Sequence, residues 1–197
     1  MQKRNVLNNL GIIIILSIAV AVGLNSLLLS VDLAQYSERY QEATVVLYSP
    51  PFAQQILYSG IWIPIVEELL FRGILFRVLR KWIAFPWAML ISAVVFGAYH
   101  GNIVQFVYAT ICGMLLAYLY EKYDSIFATI LSHMSMNIFS IILTQTGVFS
   151  WIMDSSLKVV FVIAICGAIS VCALRSLQKV DVTKVLKIYC KDVGNDI

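Results

Sequence analysis

One apolar stretch of the chain reads Ile63-Pro64-Ile65-Val66-Glu67-Glu68-Leu69-Leu70-Phe71-Arg72-Gly73, with two carboxylates and a guanidinium among hydrocarbon side chains. An ionisable group at the centre of a bilayer costs about 2.5 to 3.5 kcal/mol on insertion scales, so such groups need partners or a function. Glu68 and Arg72 stand four residues apart, which stacks them on one helical face and allows an ion pair. Adjacent helical residues point about 100° apart, so Glu67 cannot share the same arginine equally. Glu67 is then the less satisfied carboxylate, the one suited to serve as a general base. Pro64 supplies no backbone donor, which frees the carbonyl of Gly60 and loosens the turn before the glutamates. A cluster that only fixes helix packing is the alternative, but a bundle can pack with far cheaper residues.

The two histidines of the chain also fall in apolar segments. His100 closes the run Phe96-Gly97-Ala98-Tyr99-His100, and His133 lies in His133-Met134-Ser135-Met136-Asn137, where a spacing of four puts His133 and Asn137 on one face. At about 1.5 Å per residue, Glu67 lies about 18 Å from the cytoplasmic end of its segment, His133 about 12 Å and His100 about 21 Å. They can share a site if the segment carrying His100 is tilted or ends inside the membrane, and its short length and the Gly101-Asn102 turn allow that.

Positioning these groups calls for a membrane bundle. The chain has 197 residues, 60% hydrophobic and 13% charged, where a soluble domain carries about 25% charged residues. Six apolar segments follow one another: Leu10 to Leu29, Ile56 to Leu79, Pro86 to Tyr99, Ile103 to Tyr120, Ser125 to Leu143 and Leu157 to Leu174. A span needs about 20 apolar residues, so the third is short. The expected fold is an all-α polytopic membrane bundle of about six transmembrane helices. An even number of spans places both termini on one side, and 11 of the 14 Lys and Arg residues fall on that side against Arg39 and Lys158 on the other, Arg72 being buried. By the positive-inside rule both termini are cytoplasmic. Lys3 and Arg4 before an apolar run with Ala19-Val20-Ala21 would also suit a cleaved signal peptide, but the run continues to Leu29, longer than such a region, so an uncleaved span is expected.

Between the first two segments, Asp32, Glu38, Arg39 and Glu42 precede Ser49-Pro50-Pro51, and the patch Ala43 to Tyr48 is too short to cross; it lies in the interface or re-enters. In the tail, Val182, Val185, Leu186 and Tyr189 share one face and Lys184, Lys187 and Lys191 another, which suits either a helix on an anionic leaflet or a frayed end. Cys112, Cys166, Cys172 and Cys190 show no C-x-x-C spacing and read as small apolar fillers. The basic residues sort by membrane side and form no single patch, so nucleic acid is not an expected partner.

The ordered set E-E-x-x-x-R at Glu67, Glu68 and Arg72, F-x-x-x-H at Phe96 and His100, and H-x-x-x-N at His133 and Asn137 resembles the CPBP family. These are the CAAX-protease and bacteriocin-processing intramembrane peptidases, also called the Abi family. The resemblance covers about Ile56 to Leu143 and leaves out the first span and the tail; the chain is short for the family. It implies a catalytic core over 56–143, an N-terminal span and extracytoplasmic connection over 1–55, and a last span with a basic tail over 144–197. It also implies that Glu67 with His100 activates a water, that His133 and Asn137 donate to the oxyanion, and that Glu68 with Arg72 holds the base helix, with Phe96 in support.

Family members have been described both as metal-free glutamate peptidases and as metalloproteases. The reading taken is metal-free, with no cofactor, because no H-E-x-x-H spacing occurs. The alternative is zinc held by Glu67, His100 and His133, a three-ligand site with an open water position. The resemblance implies a protein of the bacterial plasma membrane acting on membrane-associated peptides or lipidated precursors. Two other classes stay open: a bacteriocin-immunity or partner protein that works by binding, and a proton-coupled transporter relaying charge through Glu, His and Arg. Transporters commonly show repeated halves, and none is visible here.

Overall fold

The computed structural model describes residues 6–31 and 37–193, with side chains described as far as Gln178. The regular elements are all helical and no strand occurs among the described residues, as expected where apolar segments must satisfy their own backbone groups. In chain order the helices are α1 (Leu10–Ser30), α2 (Glu38–Tyr48), α3 (residues 52–82), α4 (Phe85–Tyr99), α5 (Ile103–Tyr123), α6 (Ile126–Gln145), α7 (Val148–Met153) and α8 (Ser156–Val193). Among the described residues, four regions are long and apolar enough to cross a membrane: Val6–Ser30, α5, α6 and Ser156–Gln178 of α8. Helix α4, at 15 residues, is shorter than a span, and α3 carries the charged cluster.

Local sequence sets the boundaries. Pro51 stands at the start of α3 and Pro86 in the first turn of α4, where a missing N–H costs nothing. Asn102 caps α5, its side chain accepting from the Gln105 N–H at 2.9 Å. Asp124, at φ 46°, ends the helix in the left-handed region.

The long helices alternate in direction, so each gives one end to each rim of the bundle. At one rim Val6 of the N-terminal turn, Leu119 and Tyr123 of α5, Ala128 of α6 and Leu177 of α8 share an apolar cluster, and Arg80 of α3 pairs with Glu121 of α5. At the other rim Gln145 of α6 donates to Gln55 of α3, and Thr144 donates to the Tyr48 hydroxyl. Helix α1 packs on α8 and α6; Ser17 donates to the Ile13 carbonyl and lies 2.6 Å from Ser132 of α6, so the Ser132 hydroxyl is the donor across that interface.

Two features depart from the sequence reading. The loop over Gln145 to Ser150 contains a short helix, α7, begun by Gly147 at φ 73°. The tail continues the last apolar helix without a break as far as Val193. The two tail faces, and Lys3, Arg4 and Asp32, lie outside the residues whose side chains are described.

Candidate active site

Helix α3 is irregular on both sides of its carboxylates. A π-helical stretch over Ile56–Trp62 leads into Ile63–Glu68, and a second follows over Leu69–Phe76. The Ile63 N–H bonds to the carbonyl of Tyr58, five residues back. In that register the donor owed to Ser59 would come from Pro64, which has none. The orphaned carbonyl is therefore that of Ser59, and the expectation that placed it at Gly60 is corrected by one residue. Asn137 of α6 satisfies it, Nδ2 donating at 2.9 Å. Such π bulges concentrate at functional sites.

Glu68 and Arg72 are both fully buried and paired, Arg72 Nη1 donating to Glu68 Oε1 at 2.9 Å. Arg72 Nη2 also donates to the Gly113 carbonyl of α5 at 3.0 Å, and the guanidinium lies 4.6 Å from the Phe96 ring centre. A Cβ at position 113 would stand 3.1 Å from Arg72 Nη2, so glycine leaves the space for this approach. Glu68 has a second partner that spacing did not reveal: His133 Nδ1 lies 2.9 Å from the same Oε1. An ionised carboxylate only accepts, so Nδ1 carries the proton and Nε2 is turned toward Glu67 Oε2 at 3.6 Å, beyond hydrogen-bond length. Glu67 and His133 are each only 7% exposed.

His100 follows the last turn of α4. Its Nδ1 lies 3.0 Å from the Phe96 carbonyl, which can only accept. This fixes the Nδ1–H form of the neutral ring and leaves Nε2 as an acceptor. The Phe96 ring spaces the two histidines, edge-on to both, with centres 5.1 Å from His100 and 5.7 Å from His133. The short α4, ending at Tyr99, thus carries His100 into the same cavity as Glu67.

Glu67, His100, His133 and Asn137 all line one cavity of about 590 Å³. Zinc bound by Glu67, His100 and His133 would need three donors around a point about 2 Å from each. No group of three or more His, Cys, Asp or Glu side chains converges in that way among the described residues. The residues as arranged do not fit a three-ligand site.

Fold and site together define an integral membrane helical bundle with a buried Glu, His and Arg cluster opening into an internal cavity. Residues 49–139, which hold every one of these side chains, match the family described as type II CAAX prenyl endopeptidase Rce1-like. The chain is also 32% identical over 127 residues to the protein named "Putative membrane peptidase YdiL" of Bacillus subtilis (strain 168). That alignment covers 64% of this chain and 51% of the relative, so the chain spans about half the length of the curated relative it matches. No solved structure gives a significant match. Over residues 49–139 the chain is thus similar to the Rce1-like intramembrane peptidases.

Proposed function

We propose that the protein is an intramembrane endopeptidase that hydrolyses peptide bonds with a water activated by Glu67 and His100. The observation that supports it best is the convergence of Glu67, His100, His133 and Asn137 on one cavity. A water between the Glu67 carboxylate and the unprotonated Nε2 of His100 would lose its proton to Glu67 as it attacks the scissile carbonyl. Glu67 then returns that proton to the leaving amine, the usual exchange of base and acid roles.

His133 has its Nδ1–H committed to Glu68, so it can donate to the oxyanion only from a protonated Nε2. Asn137 uses one amide hydrogen on Ser59 and keeps the other for the oxyanion. Donors held in place in a water-poor pocket are typically worth about 2.7 to 4 kcal/mol each.

The test is turnover of apolar peptides by purified protein. Glu67→Gln should remove detectable turnover and leave the fold intact, because the amide keeps the shape and removes a buried charge. Asn137→Ala should lower turnover by roughly 100- to 1000-fold. Activity should persist in strong chelator; reversible loss restored by zinc would replace this mechanism with a metal-dependent one. Full activity of Glu67→Gln would refute the role of that residue.

A further inference from the structure

The cavity sits at one rim of the bundle, and the charges tell the rims apart. Arg77, Arg80, Lys81, Lys122 and Arg175 belong to the rim where Val6, Tyr123 and Leu177 cluster. The opposite rim is made by the C-terminal ends of α1, α4 and α6 and the start of α5, and the cavity is lined there by Leu29, His100, Val104 and Ile141. Of the basic residues outside the core, that rim has Arg39 and Lys158. Positive charge next to spans is retained on the cytoplasmic side, so the cavity rim is the extracytoplasmic one.

Helix α2 forms the outer wall. Its Tyr40, Thr44 and Tyr48 line the cavity, while Glu38, Arg39, Gln41 and Glu42 are exposed. At 11 residues it cannot cross a bilayer, and its charged side sets it in the headgroup region. On the α3 side Trp62 and Val66 line the cavity and are 55% and 51% exposed, so the wall toward the lipid is apolar. The lining carries one carboxylate, Glu67, two imidazoles, His100 and His133, and the phenols and thiol of Tyr40, Tyr48, Tyr99, Tyr108 and Cys112, with no Lys or Arg among the described lining residues. A free C-terminal carboxylate would find no Lys or Arg there and would face Glu67.

On the peptidase reading above, we infer that the site opens to the extracytoplasmic face and takes an internal apolar segment of an exported or membrane-anchored polypeptide. A cytosolic C-terminal tail reaches the wrong rim and presents the wrong charge.

Two measurements separate this inference from the reading it rests on. In intact cells a membrane-impermeant maleimide should label Glu42→Cys at once and Lys81→Cys only after permeabilisation, against wild type as the blank for the native cysteines. Glu38→Cys and Arg77→Cys, also exposed, repeat the comparison if either first variant fails to accumulate. The reverse pattern overturns the inference whatever the activity. In sealed vesicles, an apolar peptide flanked by lysines should be cleaved when added to right-side-out preparations, and at least as fast with an amidated C terminus as with a free one. Cleavage confined to inside-out vesicles, or a requirement for the free carboxylate, overturns the inference and leaves the peptidase reading intact. Extracytoplasmic labelling of Glu42→Cys with no cleavage in either orientation supports the assigned access side and refutes the peptidase reading.

Discussion

Arg72 and Arg80 lie about two turns apart on α3, and each donates to a glutamate. Arg80 has the better geometry: Nε and Nη2 reach the two oxygens of Glu121 at 3.0 and 2.7 Å, with the side chains 32% and 36% exposed. Arg72 gives Glu68 one bond at 2.9 Å, to an oxygen it shares with His133, and both partners are sealed from the surface. Bond geometry would rank Arg80 first. Environment reverses the ranking, because water screens and replaces the exposed pair, whereas nothing replaces a partner inside the bundle. The difference teaches that the buried pair matters for what its loss would strand. Its members orient His133 through Glu68 and tie α3 to α5 through Gly113, so the site and the helix packing depend on the same few atoms.

The largest effect should therefore come from Glu68→Gln. It leaves Arg72 buried without its counter-charge, and breaking one side of a buried pair costs about 3 to 5 kcal/mol. Unfolding in detergent micelles should show that loss while Glu67→Gln stays near wild type. Equal destabilisation by the two adjacent substitutions would mean that Glu67 also serves packing, and a loss below about 1 kcal/mol for Glu68→Gln would dissolve the contrast with Arg80.

This contrast was only partly legible in the sequence. The Glu68–Arg72 pair follows from their spacing, and so does the shared face of His133 and Asn137, since helical periodicity reports which residues of one helix lie together. The stop of α4 at His100 was readable from its short apolar run. Periodicity says nothing about how one helix is rotated against another, so the bond from His133 to Glu68 and the use of the Gly113 carbonyl had no sequence signal beyond a glycine in an apolar run. The orphaned carbonyl was misplaced for a different reason: π turns shift the register of the backbone donors, so Pro64 orphans Ser59 where a regular α-helix would orphan Gly60. The loop helix α7 is short enough to be hidden by its apolar neighbours.

A middle-sized effect should come from the packing that brings α4 to the site. A Cβ at Gly97 would stand 2.7 Å from the Phe106 carbonyl of α5 and press on Thr110 Oγ1, and the first of these is backbone that cannot swing away. Close helix contacts in membranes use small residues for this reason. Gly97→Ala should cost about 1 to 3 kcal/mol and lower turnover as well, because Phe96 and His100 move with α4. Gly11→Ala, with nothing within 4 Å of the added carbon, is the matched control and should leave both unchanged. Lost turnover at unchanged stability would mean that α4 shifts freely and that its close contact with α5 serves only to align His100.

The smallest effect is expected at Arg80, and it tests the comparison from its weak side. Arg80→Ala removes two charge-assisted bonds to Glu121 and one from Nη1 to the Ile83 carbonyl at 3.0 Å. Summed as isolated bonds, these would rival the Arg72 pair. In water they do not, since freed Glu121 is rehydrated and two long side chains regain their rotamers; exposed pairs are typically worth about 0 to 1 kcal/mol. The measured loss should fall in that range and shrink further in high salt, because screening weakens exposed pairs. The loss from Glu68→Gln should be insensitive to salt, its charges lying beyond the reach of ions. If Arg80→Ala cost as much as Glu68→Gln and salt left it unchanged, the rim pair would be shielded in the membrane interface, and burial would no longer explain why the two arginines of α3 differ.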